Sequence, residues 1–370
     1  MARVWFNRTF SNVRALLDLI RHGDSGGEHQ LLCSHTQPSF PGFIAAHESF
    51  LEPPHLRGDD YVDYCLATCV ARRIDHFWPG REAEPIAAQR QRFAVAGVAV
   101  LSLAAPETLA LLRDKDRFCE RMRGAMIPPP EYRTIRSAAE FEEAYEELRA
   151  RHPVLCIKPA EGVNGTGFRI IDERRTGMQI LLQGAVHAIH LAGLRQLLTE
   201  AGRFPPLLLM EYLDGPEYSV DAVGDGQRLI ALVQREKSGP GTYGQRIVAR
   251  PPLEQAVAEM TAAFALRGLF NVQFMEGRDG LRLLEINPRF SGGIGYGALA
   301  GVNLPFIALD GLVHGFRPGP LPAVTVGTRL LEVPGVCRID EGLATAASHP
   351  DEVPAANGQR WAGSLATLPA

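Results

Sequence analysis

The chain of 370 residues carries 46% hydrophobic and 22% charged side chains, the make-up of a folded protein with apolar material for two or three structural units. A formal net charge of -4 and a pI near 6.3 give no general attraction to polyanions, which argues against a nucleic-acid or membrane-surface binder. The opening MARVWFNRTF lacks a basic segment followed by an apolar one, and no apolar run reaches the roughly 18 residues of a spanning helix, so a cytoplasmic protein is expected.

In chain order, ARVWF reads as a short buried strand, and the segment after it as a helix with Leu16, Leu17 and Ile20 on its apolar face and Gly23 as its stop. HQLLCSH, IDHFWPG and VAVLSLA are further strands, separated by the helical runs DDYVDYCLATCVARR and IAAQRQRFAVAG. This alternation predicts a parallel sheet covered by helices over residues 1–113. Ligands bind such sheets at the carboxyl ends of the strands, which makes the first turn, Asn7 to Asn12, a candidate contact.

PETLALLRDKDRFCERMRG reads as one helix, and Pro128 to Pro130 then mark a boundary. An amphipathic helix capped by serine comes next in SAAEFEEAYEELRARH. PVLCIKP and FRIID form a hairpin around the glycine loop AEGVNGTG, and residues 173–206 read as mainly helical. Three strands come after these, LLLMEYL, EYSVDAVG and LIALVQREK; beyond the helix LEQAVAEMTAAFALRG, LFNVQFME and LRLLEINPRF form a hairpin around GRDG. Past residue 320 proline and alanine rise and no chemical signal is legible. Cys33, Cys65, Cys69, Cys119, Cys156 and Cys337 lie among apolar neighbours without a CxxC pair, which suggests neither a disulfide frame nor a zinc ribbon.

Three stretches carry chemistry. In LLEINPRFSGG, Glu285, Asn287 and Arg289 alternate and share a strand face, and Gln273 lies on the first strand of the same hairpin. Gln273, Glu285 and Asn287 supply oxygen donors of the kind magnesium takes together with nucleotide phosphates, and Arg289 can clamp a phosphate or carboxylate beside them. In KPAEGVNGTG, Lys158 ends a buried strand before Gly162, Gly165 and Gly167, whose main chain can approach phosphate oxygens. The lysine precedes the glycines, so this is neither a P-loop nor a dinucleotide fingerprint. In LLLMEYLDGPEY, Glu211 and the main chain near Leu213 can meet an adenine edge and Glu217 ribose hydroxyls. Each piece alone also reads as an ordinary surface feature: a solvated strand face, a flexible loop, a turn.

Together with the lysine of RDKDRF, and in this order, these elements resemble the ATP-grasp superfamily, specifically its carbamoyl-phosphate-synthase-like branch, over about Asp114 to Gly301. The resemblance implies a mixed α/β fold: an N-terminal parallel-sheet substrate domain (1–113), then two α+β lobes clasping ATP (114–205 with the glycine loop, 206–320 with the metal site), and an extension at 321–370. It implies that Lys115 and Lys158 bind ATP phosphates under the loop from Gly162 to Gly167, that Glu211 and Leu213 line the adenine pocket and that Glu217 meets the ribose. Gln273, Glu285 and Asn287 would hold Mg2+ or Mn2+, and Arg289 would stabilise the reacting phosphoryl group. Many carboxylate-amine ligases of the superfamily have an acid where Gln273 stands here, whereas this branch often has glutamine.

The implied reaction is ADP-forming: a carboxylate becomes an acyl phosphate that an amine or similar nucleophile attacks. The implied partners are those small molecules and, in assembly, a homodimer. Substrate choice is expected in the turn NRTFSN, through Ser11 or Asn12, and in REKSGPGTYG, through Arg235 and Lys237; Ser11 as a mere helix cap and Arg235 as a surface charge are the plainer alternatives. The rival functions are a small-molecule kinase, a biotin-carboxylase-like component and an ATP-binding regulator without turnover. A biotin component would need a separate carrier, since MKM is absent.

Overall fold

The computed structural model describes residues 1–9, 11–162, 165–184, 187–238, 244–317 and 319–333. The first unit alternates β1 (Ala2–Phe6), α1 (Val13–Gly23), β2 (His29–His35), a 3-10 turn (Pro41–Ile44), β3 (Glu48–Leu51), α2 (Gly58–Ala71), β4 (His76–Trp78), α3 (Ala83–Ala88), α4 (Arg90–Val95) and β5 (Ala99–Val100). Its strands lie in the order β3-β2-β1-β4-β5, and all four pairings are parallel. Both faces are apolar because both are covered. Trp5, Leu32 and Phe77 pack with Tyr61, Val62 and Cys65 of α2 and Phe93 of α4; Val4, Phe6 and Leu31 pack with Leu16, Leu17 and Ile20 of α1. Trp5 stacks on Phe77 at 4.4 Å between ring centres.

Next come α5 (Pro106–Arg113), α6 (Lys115–Met122), β6 (Tyr132–Ser137), α7 (Ala138–Arg149), β7 (Leu155–Pro159), β8 (Arg169–Asp172), α8 (Gly177–Leu182), β9 (Ala188–His190), α9 (Leu191–Ala201) and β10 (Arg203–Glu211). These strands make a second sheet, β6-β10-β7-β8-β9. One face packs under α7 and α9 through Phe141, Leu148, Leu194 and Leu198. The other face, through Cys156, Leu208 and Met210, shares a core with Phe270, Val272 and Leu283 of the third sheet.

The third sheet is built from β11 (Glu217–Asp225), β12 (Leu229–Lys237), β13 (Gln245–Val248), α10 (Pro251–Ala263), β14 (Arg267–Gly277), β15 (Gly280–Asn287), α11 (Gly295–Leu299), α12 (Leu304–His314) and β16 (Arg329–Leu330). Its order is β15-β14-β11-β12-β13-β16, antiparallel throughout. Helix α12 fills the space between this sheet and α1: Leu304, Ala308 and Leu309 join the core that holds Leu16 and Leu17. Asn303 Nδ2 ties the two by donating to Leu19 O at 2.8 Å. No helix among the described residues is long and apolar enough to cross a membrane.

Several elements differ from the sequence expectation. Strands β3, β6, β9, β13 and β16 are additional, and VAVLSLA contracts to the two residues of β5. The expected single helix after residue 105 breaks at Asp114, whose carboxylate accepts from Asp116 N and Arg117 N and starts α6 afresh. The helix expected over 86–97 is two short ones meeting at Gln89. Residues 334–370, with Cys337 and most of the expected C-terminal extension, lie outside the described residues.

Candidate nucleotide and metal site

The β14–β15 hairpin sets the register. Gln273 stands opposite Glu285, and Asn271 opposite Asn287. Glu285 and Asn287 share a face as alternation requires, and Asn287 Nδ2 donates to Glu285 Oε1 at 2.8 Å. The Gln273 amide makes no side-chain hydrogen bond among the described residues, which leaves its oxygen available beside the carboxylate.

Beneath these three lies a buried polar layer that the sequence reading missed. Asn271, 1% exposed, donates to Ser219 Oγ at 2.9 Å, to Val220 O at 3.2 Å and to Asp221 Oδ1 at 3.0 Å. Asp221 Oδ2 accepts from Arg235 Nη2 at 2.7 Å and Nε at 3.1 Å, and from Ser291 Oγ at 3.0 Å. Register carries this layer, because β11 lies between β12 and β14 and so brings Ser219 beside both Arg235 and Gln273.

Arg235 was expected in a loop, as a substrate clamp or a surface charge. It instead sits within β12 and is 1% exposed. Desolvating a guanidinium is tolerable only with its charge and hydrogens met, and Asp221, Ser219, Ser291 and Gln245 meet them. A side chain at Gly293 would place Cβ 2.5 Å from Arg235 Nη1, so glycine there lets the loop lie on the guanidinium. Lys237, the other expected clamp, ends β12 and pairs with Glu217. Residues 239–243 of that loop lie outside the described residues.

Pro288 comes directly after β15, and Arg289 turns toward the first unit. Its Nη1 donates to Ser11 Oγ and to Phe290 O, each at 3.0 Å, and Ser11 Oγ donates to Phe290 O at 2.9 Å. The turn after β1 therefore touches the arginine expected at the reacting group. Ser11 is not the cap of α1; Asn12 is, accepting from Ala15 N at 3.2 Å. Burial pushes the Arg289 pKa down, while Glu285 and Asp221 push it up. It keeps its charge, as arginine does in proteins.

Lys115 links the glycine loop to the same carboxylate electrostatically. Lys115, the first residue of α6, donates from Nζ to Gly162 O at 2.6 Å. Burial lowers its pKa, Glu285 raises it and Lys158 lowers it again. Lys115 of α6 is thus an electrostatic neighbour of both Glu285 of β15 and Lys158 of β7. Lys158 has no side-chain hydrogen bond or ion pair among the described residues. Gly167 has φ of +80° and its Cβ would fall 2.7 Å from Pro159 Cδ, so only glycine closes this turn without strain. Val163 and Asn164 of the loop lie outside the described residues.

The expected adenine end is arranged differently from the phosphate end. Glu211 is 7% exposed, and its carboxylate accepts from Glu131 N at 2.9 Å and from Arg282 Nε at 3.1 Å. That carboxylate is occupied within the protein, so of this residue only the main chain remains for a base edge. Leu213 is buried against Gly277, whose Cβ would meet its Cδ2 at 3.0 Å.

Among the described residues no group of three or more His, Cys, Asp and Glu side chains could hold a metal ion. Gln273, Glu285 and Asn287 are one carboxylate and two amides, too little charge to bind a divalent ion strongly alone. The set fits a magnesium ion that brings phosphate oxygens with it, and the open Gln273 amide agrees with that.

At the carboxyl ends of β1–β4, where the strand order reverses, the expected turn at Asn7 joins a cluster whose other members, Glu52, Ser34 and Tyr61, the sequence reading missed. Buried Glu52 accepts from Arg8 N at 2.9 Å, Ser34 Oγ at 2.7 Å and Tyr61 OH at 2.6 Å. Asn7 bridges the reversal by donating to Arg81 O at 3.0 Å and accepting from Gly80 N at 2.5 Å. The signal was a charged or amide residue just past each apolar strand, Asn7 and Arg8 after ARVWF and Glu52 after ESFL.

A parallel-sheet unit, a smaller sheet bearing a glycine loop and an antiparallel sheet whose hairpin faces that loop make up the ATP-grasp fold, and the chain has it. More particularly, a family model described as "ATP-grasp in the biosynthetic pathway with Ter operon" matches residues 203–335. Among solved structures, the chain is similar to N5-carboxyaminoimidazole synthetase from Staphylococcus aureus complexed with ADP, with a TM-score of 0.62 at 16% identity over 88% of this chain and 80% of that one. It is similar to the biotin carboxylase domain dimer of 2-oxoglutarate carboxylase from Hydrogenobacter thermophilus, in complex with MgADP, ADP and bicarbonate, with a TM-score of 0.61 at 14% identity over 86% and 71%. It is also similar to L-amino acid ligase from Bacillus licheniformis, with a TM-score of 0.57 at 13% identity over 85% and 74%.

Proposed function

We propose that the protein is an ADP-forming ATP-grasp ligase that activates a carboxylate as an acyl phosphate for attack by an amine or similar nucleophile. The observation that carries this reading is convergence: Lys115, which donates to Gly162 O of the glycine loop, has Glu285 and Lys158 as electrostatic neighbours, and Arg289 has Glu285, so charges from three segments of the chain gather at one carboxylate. Phosphoryl transfer gives a protein little covalent chemistry to perform, so positioning and charge neutralisation do most of the work. Lys115 and Lys158 neutralise the transferring phosphate, and the loop from Gly162 to Gly167 covers it and excludes water that would hydrolyse an acyl phosphate. Arg289 holds the carboxylate or the phosphoryl group in line. Gln273, Glu285 and Asn287 would hold Mg2+ or Mn2+, which would supply positive charge to neutralise the transferring phosphate.

In this reading residues 114–205 and 206–320 are the two clasping lobes. Leu213 offers main chain to adenine and Glu217 meets the ribose once Lys237 yields it. Residues 1–113 present the acid at the Ser11 turn, next to Arg289. Relatives with ADP, MgADP and bicarbonate in their sites support the nucleotide, the metal and an acid substrate, and the dimeric relative supports a homodimer.

The test is ADP release with ATP and magnesium against pooled amino acids, other small carboxylates and amines, with hydroxylamine as a trap. Hydroxamate that forms only when a carboxylate is supplied supports the ligase. ADP release with an alcohol and no hydroxamate makes the protein a kinase. No ADP release with any acid, despite tight ATP binding, supports the regulator.

A further inference from the structure

Glu211 and Arg282 belong to different lobes. Glu211 ends β10 in the second sheet and Arg282 lies in β15 of the third. Their contact, Nε to Oε1 at 3.1 Å, lies behind the segment expected to read adenine, and both side chains are largely withdrawn from solvent, Arg282 at 17% and Glu211 at 8% exposure. The same carboxylate oxygen accepts from Glu131 N at 2.9 Å, while Glu131 O accepts from Glu211 N at 2.9 Å. His152 extends the set: its Nδ1 is 3.5 Å from Glu211 Oε2, and its Nε2 is 2.7 Å from Glu131 Oε2. Two further segments of the smaller lobe, at Glu131 and His152, thereby gather at the carboxylate that ends β10, and that carboxylate is tied to one arginine of the larger lobe.

The segment C-terminal to Glu211 is clamped to the tip of the same hairpin. Leu213 packs on Gly277, and Gly215 lies so close to the Glu276 carbonyl that a Cβ would sit 2.4 Å from it. Arg282 is paired across the hairpin with Met275 and stands three residues before Glu285. The main-chain carbonyl of Glu211 accepts from the weak thiol donor of Cys156, at 3.6 Å, and a carbonyl oxygen carries a second lone pair that a base amino group can use.

We infer that Glu211 and Arg282 form a strut between the lobes, with the Glu211 carboxylate as a positioning group and not a ligand. The strut fixes the distance from the adenine-reading main chain at 211–213 to the metal-holding residues further along β15. This rests on the proposed nucleotide site and adds that base recognition and metal placement are coupled through one ion pair. A charged hydrogen bond of this kind, once broken, leaves its partner desolvated and unmet.

The test is calorimetric titration of the full chain with MgADP and MgGDP, using wild type, Glu211→Gln, Arg282→Met, the double variant and Arg282→Lys, with melting temperatures beside each. Each single variant is expected to weaken MgADP by about tenfold. The double variant should weaken it no further than either single one, the preference for adenine over guanine should shrink, and Arg282→Lys should restore part of both. Losses that add in the double variant, or an unchanged base preference, overturn the strut. Glu211→Gln preserves shape and hydrogen bonding, so it keeps the comparison open should Arg282→Met fold poorly. A wild-type chain that binds no MgADP while melting cooperatively overturns the nucleotide reading itself, and the strut with it.

Discussion

The two ends of the β14–β15 hairpin handle charge in opposite ways. Toward the turn end the half-buried ions are closed off in pairs: Arg282 on Glu211, and Arg250 on Glu276 at 3.0 Å, with Tyr218 OH donating to the same carboxylate at 3.1 Å. At the far end Glu285 has an amide for company, and the nearby lysines, 115 and 158, push against each other electrostatically. Closed pairs hold a shape. Like charges gathered beside a carboxylate are what a polyanion and a cation would complete, and in the proposed function MgATP supplies both. Arg235 and Arg289 repeat the contrast, the first locked by Asp221 in the core and the second turned to a serine hydroxyl at the unit boundary.

Replacing a member of the closed set should cost stability, and replacing a member of the open set should cost chemistry. Asp221→Ala strands the buried Arg235 and should destabilise the fold by about 3–5 kcal/mol, measured by denaturant unfolding. A drop of under about 1 kcal/mol would mean that Arg235 is solvated, contrary to its burial. Glu285→Gln and Arg289→Ala should each lower turnover by about 100- to 1,000-fold with little change in melting temperature. Near-normal turnover in either would remove the contrast.

A smaller effect concerns Lys115. Its pKa is held below the ordinary lysine value of 10.5, so its charge is lost as pH rises through that depressed value. Nucleotide affinity should therefore begin to fall below pH 10.5 in wild type and fall less in Lys115→Arg, read by titration across the alkaline range.

The smallest expected effect lies in the first unit. Burial lowers the pKa of His29 against the pull of Asp24, Glu28 and Asp310, with His314 opposing protonation; His76 is lowered likewise despite Asp75. The unfolded chain binds these protons first, so stability is present above pH 6.5 and declines as pH falls below it. The slope is at most about 1.4 kcal/mol per pH unit for each imidazole. Thermal melts at about pH 7.5 and about pH 5.5, either side of the ordinary histidine value, should show this decline, and His76→Gln should reduce it.

The residues proposed for the open end could be read from the sequence because their pattern is local. Glu285, Asn287 and Arg289 lie within five residues, and alternation along one strand puts the first two on one face whatever surrounds them. The closed end could not be, because its pairs join residues far apart in sequence: Glu211 meets Arg282, and Asp221 meets Arg235 only through the pairing of β11 with β12. A lone arginine in a strand reads as surface until the register brings its carboxylate. The missed elements have equally physical causes. ESFL has one fully buried residue of its four, and YRTIRS carries two arginines behind three prolines. The break at Asp114 falls inside an unbroken helical pattern, visible only as a capping residue.

The most direct measurement is the magnesium dependence of nucleotide binding, by calorimetric titration of ATP with magnesium and with chelator, in wild type and in Glu285→Gln. The account predicts that magnesium tightens ATP binding in wild type and adds little in Glu285→Gln, with both chains melting alike. The same magnesium effect in both chains would contradict it, by showing that the hairpin carboxylate holds no metal.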